Sequence, residues 1–221
     1  MGRFDDKLAL VTGAGSGLGR AASLKLAEAG ADVAVLSREA AEVEDTAAAV
    51  EALGRTALRI VADISKEDAV AAGFATIAER FGRLDVVFAN AGINGVWAPI
   101  RDLTYAEWNQ TMAVNLGGSF LTLHHAVPLM MDNGGSVMIT ASMNGTRVFT
   151  TAGASAYSAS KAGQVAFAQM AALELARYKI RVNAICPGAI ETNINESTIK
   201  RNVEEAKVPA EYPAGRIPLT G

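Results

Sequence analysis

Six short, almost unbroken apolar runs recur along the chain, each separated from the next by a longer Ala- and Leu-rich stretch. They cover residues 8–11, 33–36, 57–61, 84–89, 136–141 and 180–185. A strand with one wet face alternates apolar and polar residues, whereas a strand apolar at consecutive positions must be covered on both faces. The stretches near 17–29, 40–53, 66–81, 105–131 and 157–178 are long enough for the covering helices. Gly30, Gly54 and Gly82 close the first three of them, where a helix end favours a left-handed residue. Right-handed crossovers between such strands wrap helices onto both faces of one parallel sheet. The expected fold class is therefore α/β, a single doubly wound parallel sheet spanning residues 1–221 with no linker or charge block to divide it. Pro128 is expected to kink the fourth crossover helix or to mark its last turns.

After residue 193 the character changes. The segment 193–221 is polar, carries Pro209, Pro213 and Pro218, and shows no strand pattern, so it reads as a mobile substrate flap. The sixth run would then lie at a sheet edge, and a bare parallel edge is a liability. A further C-terminal strand, missing from this chain, is the expected cover.

Charge and composition exclude several partners. The 20 basic and 23 acidic residues are spread along the chain without a basic stripe, which argues against nucleic acid and anionic membranes. The N-terminus has no signal-peptide pattern and no run reaches the ~18 apolar residues of a membrane span, so a cytoplasmic location is expected. A single cysteine, Cys186, rules out a disulfide framework, and its place beside Pro187 suits a small buried hydrophobe. The adjacent His124 and His125 have no further ligand at metal spacing. The N-x-S/T triplets at Asn109, Asn144 and Asn195 are taken as chance.

The first run leads into Thr12-Gly13-Ala14-Gly15-Ser16-Gly17-Leu18-Gly19-Arg20 and then a helical pattern. Glycines at 13, 17 and 19 permit a tight turn and close approach of main chain to a pyrophosphate. The start of the next helix adds free N–H groups and a partial positive charge. A strict G-x-G-x-x-G is not met, since position 18 is Leu and position 20 is Arg. A glycine-rich turn can be purely structural, but its place between a first strand and a first helix favours a nucleotide.

This motif resembles the cofactor loop of the short-chain dehydrogenase/reductase family. Asn90-Ala91-Gly92 after the fourth run, Asn115 in the next helix, Ser142 after the fifth run, Tyr157-x-x-x-Lys161, then Pro187-Gly188 and Thr192 follow in that family's order. The resemblance covers essentially the whole chain. It implies a Rossmann-type fold, an NAD(P)-dependent oxidoreductase acting on a small-molecule alcohol/carbonyl pair, and a homodimer or homotetramer built on the fourth and fifth helices.

The resemblance also distributes roles. Gly13, Gly17 and Gly19 would let the main chain approach the pyrophosphate, and Asn90 would fix the strand end beneath the nicotinamide ribose. Thr192 with the backbone of Ile190 would hold the carboxamide, and Ser16, Leu18, Gly92, Pro187 and Gly188 are further cofactor-binding residues. An NAD-binding relative typically has an acidic residue after the second strand, to hold the ribose 2′-hydroxyl. Here Ser37 and Arg38 stand instead, and a guanidinium can pair with a 2′-phosphate, so NADP is expected, with NAD as the alternative. Ser16 departs from the base that many NADP-preferring relatives carry before the middle glycine. Asp63 would accept from the adenine amine with Ile64 packing beside it. It could equally cap the next helix, a role for which Ser65 competes.

Tyr157 and Lys161, four apart, share one helix face. A phenol with an ordinary pKa near ~10 is a poor base at neutral pH, and a nearby ammonium should lower it. The resemblance makes Tyr157 the acid/base and lets Lys161 also bond the nicotinamide ribose. It gives Ser142 the substrate oxygen, with Ser155 as a rival. Asn115 would bend its helix and hold a water leading to Lys161. Ile93, Asn94, Trp97, Met143, Asn144, Gly145 and Arg147 are candidate pocket residues, suiting a small or medium polyol, sugar or cyclic ketone as well as a lipid. Two alternatives stand: a 3-oxoacyl-carrier reductase, whose basic mouth is replaced here by Met130-Met131-Asp132-Asn133, and a catalytically idle cofactor-binding regulator.

Overall fold

The computed structural model describes residues 3–146, 151–188, 190, 194 and 198–207. Strands β1 (Leu8–Thr12), β2 (Asp32–Ser37), β3 (Ala57–Val61), β4 (Val86–Ala89), β6 (Gly135–Thr140) and β7 (Ile180–Ile185) form one sheet, in the order β3-β2-β1-β4-β6-β7. Every pairing in it is parallel. Helices α1 (Gly17–Glu28), α2 (Ala40–Ala52), α3 (Glu67–Phe81), α4 (Tyr105–Met112), α5 (Gly118–Met130) and α6 (Ser155–Leu175) supply the crossovers. This is the doubly wound, Rossmann-type arrangement that the alternating pattern predicts.

The unbroken apolar runs have a simple cause. Leu8, Leu10, Ala34 and Leu36 enter a core cluster shared with Phe74, Ile77, Met130 and Ile139. Their neighbours Val11, Val33 and Val35 enter a second cluster with Val43, Ala47 and Val50 of α2. Successive residues of one strand thus feed opposite cores, and each fully buried Leu or Val contributes about 1.5–3 kcal/mol. At the β3 edge Arg59 lies across Glu44 and Glu51 of α2 at 2.6–2.9 Å, which masks the open side. Gly30, Gly54 and Gly82 have φ of 107°, 77° and 66°, as helix-ending glycines require.

Three features differ from the sequence expectation. The long fourth crossover helix is interrupted by a π-turn, Ala113–Gly117, whereas Pro128 lies in the last turn of α5, one of the two expected places. The described part of the expected flap contains a two-residue strand, β8 (Ile199–Lys200), paired with β5 (Val96–Trp97), and a short helix, α7 (Val203–Ala206). Two residues are too few to leave a periodic signal. Cys186 is exposed, because it follows the last residue of a strand at the sheet's edge instead of lying inside the core.

Candidate active site

The strand order reverses between β1 and β4, and ligands of such sheets bind outside the carboxyl ends of the strands at that point. Thr12 ends β1, and its hydroxyl accepts the N–H groups of Asn90 and Ala91, both at 3.0 Å. Thr140, ending β6, donates to the Asn90 side-chain oxygen at 3.1 Å. The Thr140 carbonyl in turn accepts from Lys161 Nζ at 2.7 Å. A continuous polar row therefore crosses three strand ends and reaches α6.

The glycine loop beside this row is built for close approach. Gly13 and Gly17 have φ of 63° and 50°. A Cβ on Gly13 would stand 2.9 Å from Ala91 Cα, and one on Gly19 would stand 2.0 Å from the Gly13 carbonyl oxygen. Ser16 occupies the N-cap position of α1 without making a side-chain cap bond. The first-turn N–H groups of α1 thus have no side-chain acceptor, and Leu18 follows in that turn. This cradle fits a pyrophosphate.

At the end of β2 the half-buried Ser37 is followed by the exposed Arg38, whose Nε lies 3.0 Å from Glu39 Oε1. A Cβ on Gly15 would meet Glu42 Oε2 at 2.3 Å and Ser37 Oγ at 3.1 Å. Asp63 turns inward to its own loop, accepting from Ser65 N–H at 2.9 Å and Ser65 Oγ at 2.7 Å. Burial alone would raise its pKa, but these bonds with Lys66 and Arg38 nearby hold it low. Lys66, not Asp63 or Ser65, is the N-cap residue of α3. Ile64 is buried against Gly118 of α5.

Ser142 ends the polar row on the other side. Its Oγ accepts the Asn144 N–H at 3.2 Å, while the turn Met143–Gly145 is hooked by Met143 N–H to the Pro187 carbonyl at 3.1 Å. Gly188 lies against Met143, where a Cβ would be 3.4 Å from the sulfur. A Cβ on Gly145 would stand 2.5 Å from the backbone carbon of Lys161, so this turn rests directly on α6. Ser142 lies close enough to the Tyr157 hydroxyl to favour its ionised form. Ser155, the rival, opens α6 with its hydroxyl buried and unpartnered beside Trp108.

The electrostatics partly overturn the expectation. Burial pushes the Tyr157 phenol up from 10, with Ser142 opposing. Lys161 Nζ turns to the Thr140 carbonyl and stands 5.6 Å from the Tyr157 ring centroid. Burial lowers Lys161 to about 8, with Cys186 opposing. A buried ammonium bonded to one neutral carbonyl is uncompensated, and such groups mark functional sites.

Asn115 lies in the π-turn, as a helix-bending residue should. Its Oδ1 accepts the Ile93 N–H at 2.8 Å. Its Nδ2 donates to the Ile93 carbonyl at 3.0 Å and to Ser160 Oγ at 2.9 Å. Thr12, Thr140, Ser160 and Gln164 escaped the sequence expectation as site residues. The signal was present for the last two, polar residues on the same α6 face as Tyr157 and Lys161.

Among the pocket residues, Asn94 donates to Thr198 at 2.8 Å and Trp97 pairs in β5 beneath Lys200, whose Nζ is 5.6 Å from its ring. Arg201 grips both Glu107 oxygens at 2.9 Å and holds that carboxyl down to about 2, strapping the described flap segment to α4. Ile190 is exposed, and Thr192 and Arg147 lie outside the described residues. His124 and His125 stack on Phe120 and Phe74. No cluster of three His, Cys, Asp or Glu side chains able to hold a metal occurs among the described residues, nor any helix long and apolar enough to cross a membrane.

Comparison with known proteins identifies a family. Residues 7–202 match the family model described as short chain dehydrogenase. The chain is 41% identical over 202 residues to levodione reductase of Leifsonia aquatica, covering 90% of this chain and 75% of that protein. It superposes on a 3-ketoacyl-ACP reductase from Sinorhizobium meliloti 1021 with a TM-score of 0.87 at 50% identity, covering 94% and 82% of the two chains. A structure of NAD⁺-bound xylitol dehydrogenase matches with a TM-score of 0.80 at 37% identity, over 84% and 71%.

Proposed function

This chain belongs to the short-chain dehydrogenase/reductase family, oxidoreductases acting on CH–OH groups, and from that premise we propose its particular chemistry. It moves a hydride between NADP(H) or NAD(H) and a secondary alcohol/ketone of the small polyol, sugar or cyclic ketone class. One observation carries the reading: the Ser142–Tyr157 hydroxyl pair lies beside a buried, uncompensated Lys161 at the switch point of the sheet.

The dinucleotide, when bound, supplies the hydride acceptor or donor. The glycine loop would hold its pyrophosphate, Asn90, Gly92, Tyr157 and Lys161 its nicotinamide ribose, and Pro187, Gly188, Ile190 and Thr192 its carboxamide. Asp63 and Ile64 would border the adenine. Tyr157 exchanges the proton of the substrate oxygen, taking it in oxidation and returning it in reduction. Ser142 bonds the same oxygen and stabilises charge developing there. Lys161 favours the phenolate, because no carboxylate competes for its charge. Asn115 holds the helix bend that brings these groups together.

For the 2′ position, Arg38 supports NADP, exchanging its exposed Glu39 partner for a phosphate. The Glu42 carboxylate beside Gly15 and Ser37 favours the second reading, NAD. The 50% identity to a protein described as a 3-ketoacyl-ACP reductase favours a second substrate reading, a 3-oxoacyl thioester. The deciding experiment assays alcohols, ketones and one 3-oxoacyl thioester with each dinucleotide, in the parent and in Arg38→Asp. Turnover of a small alcohol is expected, with Arg38→Asp moving preference toward NAD by about 2 kcal/mol. No turnover of any substrate would leave the idle regulator, and unchanged cofactor ratios would sink the role of Arg38.

We also propose a cytoplasmic homodimer or homotetramer packed on α5 and α6. Phe120, Met170 and Leu173 there are 51%, 55% and 73% exposed, an apolar surface that association would cover. A monomer by light scattering would contradict it.

A further inference from the structure

Every donor of the Asn115 side chain is used, and its main-chain carbonyl is doubly engaged. That carbonyl accepts Ser119 Oγ at 2.8 Å and Gln164 Nε2 at 2.9 Å. The Gln164 amide donates a second time, to Ser119 Oγ at 2.6 Å. Gln164 and Asn115 are both 0% exposed, and Gln164 Oε1 has no partner at all. An amide with one unpartnered oxygen is an expensive way to fill a core position that leucine would fill.

The network reaches the catalytic helix twice. Gln164 sits one turn beyond Lys161 on α6, and Ser160, held by Asn115 Nδ2, donates to the Tyr157 carbonyl at 2.7 Å. Asn115 Oδ1 and Lys161 Nζ both lie against Gly92. A Cβ placed on Gly92 would lie 3.1 Å from that oxygen and 3.4 Å from Lys161 Nζ.

We propose that Gln164 is a positioning residue for the Tyr157–Lys161 pair, acting through Asn115. Its amide ties down the carbonyl at the π-turn, so the turn keeps Asn115 bonded to Ile93 on one side and Ser160 on the other. Ile93 follows the Asn90-Ala91-Gly92 loop, and Ser160 lies between Tyr157 and Lys161. One α6 side chain thereby sets the spacing between the catalytic helix turn and the loop proposed to bed the nicotinamide ribose. Both acceptor positions of the Asn115 carbonyl are filled within the protein. The inference rests on the catalytic roles proposed for Tyr157 and Lys161.

The test uses Gln164→Leu, Gln164→Glu and Ser119→Ala in the full chain. Glutamate keeps the shape and, ionised, lacks both donors. Four quantities are read: kcat and KM for the best alcohol of the panel, the pH midpoint of oxidation, affinity for reduced dinucleotide by fluorescence, and the Lys161 titration by NMR without dinucleotide. Gln164→Leu and Gln164→Glu are expected to lower kcat by at least about tenfold, with KM little changed. They should also move the pH midpoint and the Lys161 titration by about half a unit or more. Ser119→Ala, which leaves Gln164 in place, should shift them less. If leucine prevents folding, the glutamate variant carries the test. Variants that melt earlier but keep the parental kcat, pH midpoint and Lys161 titration would make Gln164 a core filler and overturn the proposal. Tyr157→Phe is run beside them: parental turnover there would fail the catalytic reading itself, whereas failure of the Gln164 variants alone fails only this inference.

Discussion

The two ends of the same central strands bury charge in opposite ways. At the amino end, Asp85 is 6% exposed and fully matched. It accepts the Leu8 N–H at 3.0 Å, Lys7 Nζ at 3.0 Å and Arg83 NH2 at 2.8 Å. Burial alone would raise its carboxyl, but these partners hold it below its ordinary value. At the carboxyl end, Lys161 is 3% exposed, and one neutral carbonyl is its bonded partner. There burial wins, and its pKa falls to about 8. A buried charge that is neutralised holds a fold together, whereas one left unneutralised is available for chemistry.

The largest effect that sharpens this contrast is at Tyr157. Tyr157→Phe keeps the ring and its packing but removes the transferable proton. Turnover should fall by about 10²–10⁴, while melting temperature holds and dinucleotide affinity falls far less, because Lys161 and Asn90 remain. The oxidation rate should rise with pH in the parent through one ionisation, and that limb should vanish in the variant. A variant within threefold of the parent would mean another base does the work.

The next effect sets the two ends directly against each other. Asp85→Asn leaves Lys7 and Arg83 without their shared carboxylate and should cost about 3 kcal/mol in denaturant unfolding. Lys161→Met should leave stability unchanged or raise it, while abolishing turnover and weakening dinucleotide binding. The pH signs follow. Asp85 has a depressed folded pKa, so its stabilisation is present above 3.8 and is lost as pH falls through the folded value. Lys161 is depressed from 10.5 to about 8, so its penalty is full below about 8 and is relieved as pH rises toward 10.5. Two variants with equal stability losses would erase the distinction.

Strands β1 and β2 were legible because each feeds two cores, so consecutive apolar residues announce them; β7 buries alternate residues, with Arg181 and Asn183 exposed. The helix-ending glycines and the Ser142, Tyr157 and Lys161 positions were legible too, from ordered motifs. The bend at Asn115 came from the resemblance alone, because the helical pattern runs through 105–131 and the bonds that favour the π-turn come from Gln164, far away in sequence. Asp85 was absorbed into an apolar run whose strand begins only at Val86. Strand β8 escaped because two residues carry no period, and Cys186 because edge exposure is a property of sheet order. The lowering expected for Tyr157 failed for a related reason: residue spacing puts a lysine nearby but does not say that its ammonium points at Thr140.

Lys161 is a buried ammonium whose one bonded partner is a neutral carbonyl. Lysine labelled with ¹³C at the ε-carbon, titrated by NMR in the parent and in Lys161→Met, tests this most directly. One resonance should titrate near pH 8, well below the ordinary 10.5, and be absent from the variant. If every lysine titrates near 10.5 in both proteins, the ammonium is solvated or paired and the account of the site is wrong.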